Sequence, residues 1–242
     1  MASQGGIVAE FWAAFAAAFD LIYGADDNLV GIVLLSLRVS LTAVLIAALI
    51  GLPLGALVGF LSFPGKKACV VVLNALMGLP PVVVGLLVYL ALSRAGPLGV
   101  FGLLFTPMAM IIAQVILITP IIAALTRQVV EDLWGEYREQ LTSLQCSTGQ
   151  VVLTLLWDGR FSLLTAVFAG FGRASAEVGA VMIVGGNIDH VTRVMTTAIA
   201  LEVSKGDLAL ALGLGIVLLT LSLGVNAIAY MLGEFARKRM GA

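Results

Sequence analysis

Five long stretches of this chain carry scarcely any charge, and they decide what it can fold into. They are Leu29–Ser62, Ala68–Ser93, Pro107–Val130, Phe161–Val184 and Asp207–Leu232. Crossing roughly 30 Å of hydrocarbon takes about 20 mainly apolar residues in a helix. Inside lipid every backbone polar group needs a partner from the protein itself, which leaves only helices and closed barrels. These runs lack the alternation of a barrel strand, so they read as helices. The expected fold class is an all-α integral membrane protein with about five transmembrane helices. The first run is longer than one crossing requires, and Pro53, which lacks an amide donor, is where a kink is expected.

Composition narrows the function classes. The chain has 242 residues, 61% apolar and 11% charged, against about 45–50% and about a quarter in soluble domains. A soluble enzyme, a disordered tail and a coiled coil are excluded together. The net charge is −1, so there is no positive field for nucleic acid. Cys69 and Cys146 are isolated and read as small apolar residues. The N-terminus, MASQGGIVAEFW, has no basic region before its first apolar stretch and does not read as a cleavable signal.

Lysines and arginines set the expected orientation. Alternating the five spans places Lys66, Lys67, Arg127, Arg138, Arg160, Arg237, Lys238 and Arg239 on one side, and Arg94, Arg193 and Lys205 on the other. The richer side is expected to be cytoplasmic, with the C-terminus inside. Ile7–Tyr23 mixes Trp12 and phenylalanines with Glu10 and Asp20. It is expected as an interfacial amphipathic helix, with a further span as the alternative. The expected organisation is an N-terminal external or interfacial segment, 1–28, and a membrane domain, 29–242. The longest cytoplasmic piece is 131–160, where one or two short amphipathic helices are expected at the membrane surface.

Catalytic chemistry is hard to find. The one histidine, His190, has no triad partners, and no cluster has metal spacing. The segment Gly59–Lys66 resembles a phosphate loop, but it has one residue too many between its glycines and Lys67 where Ser or Thr belongs. No metal site and no cofactor is expected on this chain, and energy must come from a partner. Gly51, Gly55 and Gly59 make a small-residue stripe that fits either intrachain packing or a homodimer seam. Asn74, Pro80-Pro81, Gln114, Thr119-Pro120 and Ser175 are polar or helix-weakening features at membrane depth, compatible with a path or with packing. Arg38, Arg173 and Glu177 are charges inside spans and therefore costly. Arg173 and Glu177 are one helical turn apart and are expected to pair, with Arg38 joining Glu177. Direct contact with a transported anion is the other reading.

Three segments carry a family resemblance. EQLTSLQCSTGQ at Glu139–Gln150 and FAGFGRASAEVGAVMIVGGNI at Phe168–Ile188 resemble the cytoplasmic EAA loop and the following span of type I ABC importer permeases. GLPPVVVGLLVYLALSRAGPLG at Gly78–Gly99 is similar to the second span and outer loop of that family. The likeness is greatest to permeases of tungstate importers, near those of molybdate and sulfate.

The resemblance implies a type I permease fold working by alternating access. It also implies a homodimer, two ATP-binding subunits on the cytoplasmic side, and an extracytoplasmic binding protein that delivers the oxyanion. ATP and magnesium belong to the ATPase. Its coupling loop falls on Glu139, Gln140, Leu141, Thr142, Ser143, Leu144, Gln145, Cys146, Ser147 and Thr148. Gln145 stands where glycine is usual, and Asp158 where proline commonly closes the motif. Gly185, Gly186 and Asn187 are candidates for an outer gate or binding-protein contact, as is the loop Arg94–Thr106. An ion-coupled secondary transporter of a small anion is the alternative function, and a channel or scaffolding subunit is a third.

Overall fold

The computed structural model describes residues 27–239 and, ahead of them, Trp12, Phe15, Ala16, Phe19, Asp20 and Gly24. Apart from those positions, the Ile7–Tyr23 segment lies outside the described residues. Among the described residues from 27 onward the elements are α1 (Asp27–Phe60), α2 (Lys66–Met77), α3 (Pro81–Leu92), α4 (Pro107–Ser143), α5 (Thr148–Asp158), α6 (Arg160–Ser175), α7 (Gly179–Gly185), α8 (Met195–Lys205) and α9 (Leu208–Arg239). A single 3-10 turn sits at Gly99–Phe101.

Among the described residues three helices are long and apolar enough to cross a membrane: α1, α4 and α9. The second expected span is broken. α2 and α3 meet at 96°, because Pro80 is extended (φ −65°, ψ 119°) and Pro81 opens the new helix without needing an amide partner. The fourth expected span is also broken, into α6 and α7, across Ala176–Val178. The third does not stop at Val130; α4 runs on to Ser143, straight through Pro120. The first half of the expected surface loop 131–160 is thus the end of a membrane helix followed by a turn, and most of its remainder is α5. Pro53 likewise lies inside an unbroken α1.

Close backbone approach is what joins α1 to α4. A methyl at Gly51 would lie 3.1 Å from the Thr119 carbonyl oxygen. One at Gly55 would overlap the Ala123 carbonyl and sit 2.7 Å from Thr126 Cβ, and one at Gly59 would lie 3.0 Å from the Arg127 carbonyl. Residues 119, 123 and 127 repeat every fourth position, as 51, 55 and 59 do, so the two helices mesh along one ridge. The small-residue stripe is therefore an intrachain seam, and a homodimer contact through it is excluded.

The core follows that seam. Val39, Ala43 and Ala47 of α1 pack with Ala113, Leu117 and Ile118 of α4, and with Ala174, Val181 and Val184 from the broken span. At one end Ala56 and Val130 meet Leu141, Val151 and Leu155, with Phe60 edge-on to Trp134 at 5.5 Å. At the other end Leu29 meets Met195, Ala198 and Leu214. Leu34, Leu41, Leu45 and Leu49 of α1 remain exposed, as expected of a helix that faces lipid or a second chain.

Candidate functional site

The segment Glu139–Thr148 is an elbow between α4 and α5, built by two opposed caps. Cys146 N–H donates to the Leu141 carbonyl at 3.1 Å and Gln145 N–H donates to the Thr142 carbonyl at 3.0 Å. This is a Schellman closure of α4. It needs a left-handed residue, and Gln145 supplies it at φ +50°. A glycine would adopt that conformation without strain, so glutamine at this position preserves the turn at a conformational cost. Leu141 and Cys146 pack in one cluster, which is the apolar contact that accompanies this motif. Ser147 then starts α5 with a capping box: its Oγ accepts from Gln150 N–H, and Gln150 Oε1 accepts from Ser147 N–H at 2.8 Å.

The outward side of this elbow is apolar and acidic. Leu144 is 73% exposed and Trp157 70%, and Glu136, Glu139 and Gln140 are exposed on the last turns of α4. Arg160 stacks its guanidinium 4.8 Å from the centre of the Trp157 ring. Asp158, the residue in place of a motif-closing proline, interacts with Tyr137 of α4. That side-chain interaction, then the negative charges of Asp158 and Glu136, holds the Tyr137 phenol above its usual pKa.

Mid-membrane, the break between α6 and α7 is satisfied group by group. Arg173 Nη1 lies 3.0 Å from Glu177 Oε2. Glu177 Oε1 accepts from Ala180 N–H at 3.0 Å. Thr196 Oγ1 donates to the Glu177 carbonyl at 2.8 Å, and Gln114 Nε2 donates to the Ala174 carbonyl at 3.2 Å. The last three interactions pair side chains with backbone groups at the unwound segment. Ser36, Ser40, Gln114, Ser175, Thr196 and Ser222 line a cavity of about 20 Å³ beside it, room for a single water. The expected Arg173–Glu177 pair is present. Arg38 does not join it: Glu177 is 4% exposed, whereas Arg38 stands on the exposed face of α1. Among the described residues Arg38 has no carboxylate within ion-pair distance.

After α7 the chain turns through Gly186 (φ +71°), Asn187 (φ +49°) and His190 (φ +55°). Thr192 Oγ1 accepts from Ile188 N–H at 2.9 Å and donates to the Gly185 carbonyl at 2.6 Å, while Asn187 Nδ2 donates to the Thr197 carbonyl at 3.4 Å. Gly185 is buried, and a methyl there would press on Met110 Sδ at 3.0 Å. One at Gly186 would meet Phe105 at 2.8 Å. Gly185 thus packs inside the molecule, and the exposed tip of this turn is Ile188, Asp189 and His190.

Residues 51–238 match the family described as binding-protein-dependent transport system inner membrane component. The chain belongs to that family. Among its relatives are a probable anion ABC transporter permease protein of Haloferax volcanii, 43% identical over 205 residues (83% of this chain, 88% of the relative), and the tungstate uptake system permease protein TupB of Peptoclostridium acidaminophilum, 43% identical over 220 residues (91% and 96%). TupB of Campylobacter jejuni is 38% identical over 195 residues (81% and 82%).

This chain is therefore a multi-pass permease component of the inner membrane. Three of the permease's structural devices are absent from the expectations above. The capping box is written plainly in Ser147-Thr148-Gly149-Gln150, a Ser with Gln three positions on. The Schellman closure is hidden, because Gln at the left-handed position gives no local signal. Helix α8 falls where an outer loop is expected, although Thr197, which caps it through Val194 N–H at 3.1 Å, sits at the matching offset.

Proposed function

We propose that the chain is the transmembrane subunit of an ATP-driven importer for tungstate, with molybdate and sulfate as the closest alternative substrates. Hydrolysis then takes place on a separate pair of ATPase subunits that hold ATP and magnesium, and a binding protein outside the membrane delivers the oxyanion. The elbow carries this reading. Its exposed Leu144, flanked by Glu139 and Gln140 and clamped by two caps, is a stiff knob at the end of a membrane helix. Such a knob suits a groove on another protein. The tungstate assignment is supported by the names of the relatives alone. The basic residues at the elbow end support a cytoplasmic elbow and C-terminus.

The path runs between two copies of the chain in this reading. Arg38 supports it, since a charge on the exposed face of a membrane helix is costly against lipid. It sits about 16 Å along α1 from Asp27 at 1.5 Å per residue. Facing a second copy across a wet path, it would meet a passing oxyanion instead of acyl chains.

The test is co-purification and uptake. The wild-type chain should bring down an ATPase subunit and support ATP-dependent tungstate uptake. Glu139→Lys and Leu144→Asp should each abolish both while the chain stays folded in the membrane. Normal ATPase capture by both variants would defeat the elbow assignment. A cognate binding protein that retains phosphate or an amino acid and ignores tungstate would defeat the substrate assignment.

A further inference from the structure

The junction of α1, α2 and α4 holds an open groove of about 810 Å³ that the transport reading leaves unused. It is lined by Ser62, Phe63, Lys66, Lys67, Val70 and Arg127, among others. Three cations and one carboxylate surround it. Lys66 Nζ lies 3.3 Å from Glu131 Oε1 and donates to the Gly59 carbonyl at 2.7 Å, and Arg127 also pairs with Glu131. One carboxylate thus serves two cations, while Lys67, exposed on the rim, has no carboxylate partner among the described residues. Arg127 Nε is buried without a hydrogen-bond partner. The groove carries an excess of positive charge and unsatisfied donors over an apolar floor.

Its depth says which anion fits. The stretch Pro107–Thr126 of α4 has no charge and rises about 30 Å, the thickness of the hydrocarbon core. Arg127 therefore stands where lipid phosphates lie. Val70, which packs with Ala123 one turn deeper than Arg127, and Val71 beside it continue the groove as apolar surface, a lining suited to an acyl chain and wasted on a small hydrated ion.

We propose that this groove binds one anionic phospholipid, with its phosphate between Lys67 and Arg127 and an acyl chain along Val70 and Val71. The lipid phosphate competes with Glu131 for the two cations that hold it, two turns before the elbow on the same helix.

Native mass spectrometry of the full chain, released from nanodiscs of equal phosphatidylglycerol and phosphatidylcholine, tests this. Retention of phosphatidylglycerol over phosphatidylcholine is expected, weakened about fivefold by Lys67→Gln, the share of one basic residue near a charged membrane surface. Lys67 is exposed and outside the packed core, so folding is not at stake. Arg94→Gln, at the opposite end of the molecule, should leave retention unchanged, and added inorganic phosphate should not displace the lipid. Equal retention of the two lipids would overturn the proposal, as would an equal effect of Arg94→Gln. Displacement by inorganic phosphate would make the groove a soluble-anion site and overturn it too.

Discussion

Arg173 reaches across one helical turn to hold one oxygen of the Glu177 carboxylate, while the other oxygen accepts the amide of Ala180 beyond the break. One buried charge thus closes one helix and opens the next. Its value is conditional on the arginine, because a carboxylate left alone at this depth has nothing to offset its desolvation.

Arg173→Gln alone should cost about 2–3 kcal/mol, reduced from the fully buried case because Arg173 is partly exposed. The double variant Arg173→Gln/Glu177→Gln should recover part of that loss, since a glutamine side chain in place of Glu177 can still accept from Ala180 and carries no charge. Denaturation of the purified chain in detergent measures both. A double variant no more stable than Arg173→Gln alone would refute the pairing.

The seam between α1 and α4 makes a sharper demand. Gly55→Ala places a methyl against the Ala123 carbonyl and Thr126, and should destabilise the chain by about 1–3 kcal/mol or more. Gly135→Ala meets nothing within 4 Å and should raise stability by about 1 kcal/mol through helix propensity. Opposite shifts in thermal midpoint for these two chemically identical changes are the expected result.

At the elbow, Gln145 at φ +50° should be replaceable by glycine to advantage. The relief of left-handed strain outweighs the added freedom of the unfolded chain by about 0.5–1 kcal/mol. Gln145→Val should be worse than wild type, because a β-branched residue tolerates this conformation least. A destabilised Gln145→Gly would mean that the Gln side chain, and not the backbone, holds the turn.

The Tyr137–Asp158 interaction gives the elbow a pH dependence at its alkaline end. The folded chain holds the phenolic proton more tightly than the unfolded chain. The interaction therefore contributes fully below the ordinary tyrosine value of about 10 and is lost as pH rises through the raised one. Tyrosinate absorbance should show one tyrosine titrating late, and Asp158→Asn should bring it back toward the ordinary value.

For Arg38 the expected signature separates transport from folding. Arg38→Gln should assemble and reach the membrane normally, yet lower oxyanion uptake at least about tenfold, with Arg38→Lys restoring part of it. Unchanged uptake by Arg38→Gln would remove this residue from the path.

The sequence is most legible where length and charge alone decide the outcome. α1, α4 and α9 stand out as charge-poor runs, and the Arg173–Glu177 pair as two charges one turn apart. Hydropathy does not see direction: Gly78–Pro81 sits inside a uniformly apolar run, so two helices at 96° look like one. Depth in a span alone would pair Arg38 with Glu177. Which side of a helix a residue faces depends on the neighbour it packs against, and the Gly51–Gly59 seam turns α1 so that Arg38 points outward. The first charges of α4, Arg127 and Glu131, mark the edge of the hydrocarbon and not the end of the helix, so an end read from charge falls too early.

The continuity of α4 has a mechanical consequence. At 1.5 Å per residue it is a shaft about 55 Å long, and pivoting it by about 5° swings one tip by about 5 Å relative to the other. Because Pro120 does not interrupt it, such a pivot is delivered whole to the far tip beside Phe105 and Met110, where Gly185 and Gly186 rest. The neighbouring span, articulated at Ala176–Val178, is the joint able to flex in answer. The molecule pairs one rigid arm with one knuckle, so a tilt imposed on α4 at the elbow would be carried undivided to the opposite end of the molecule.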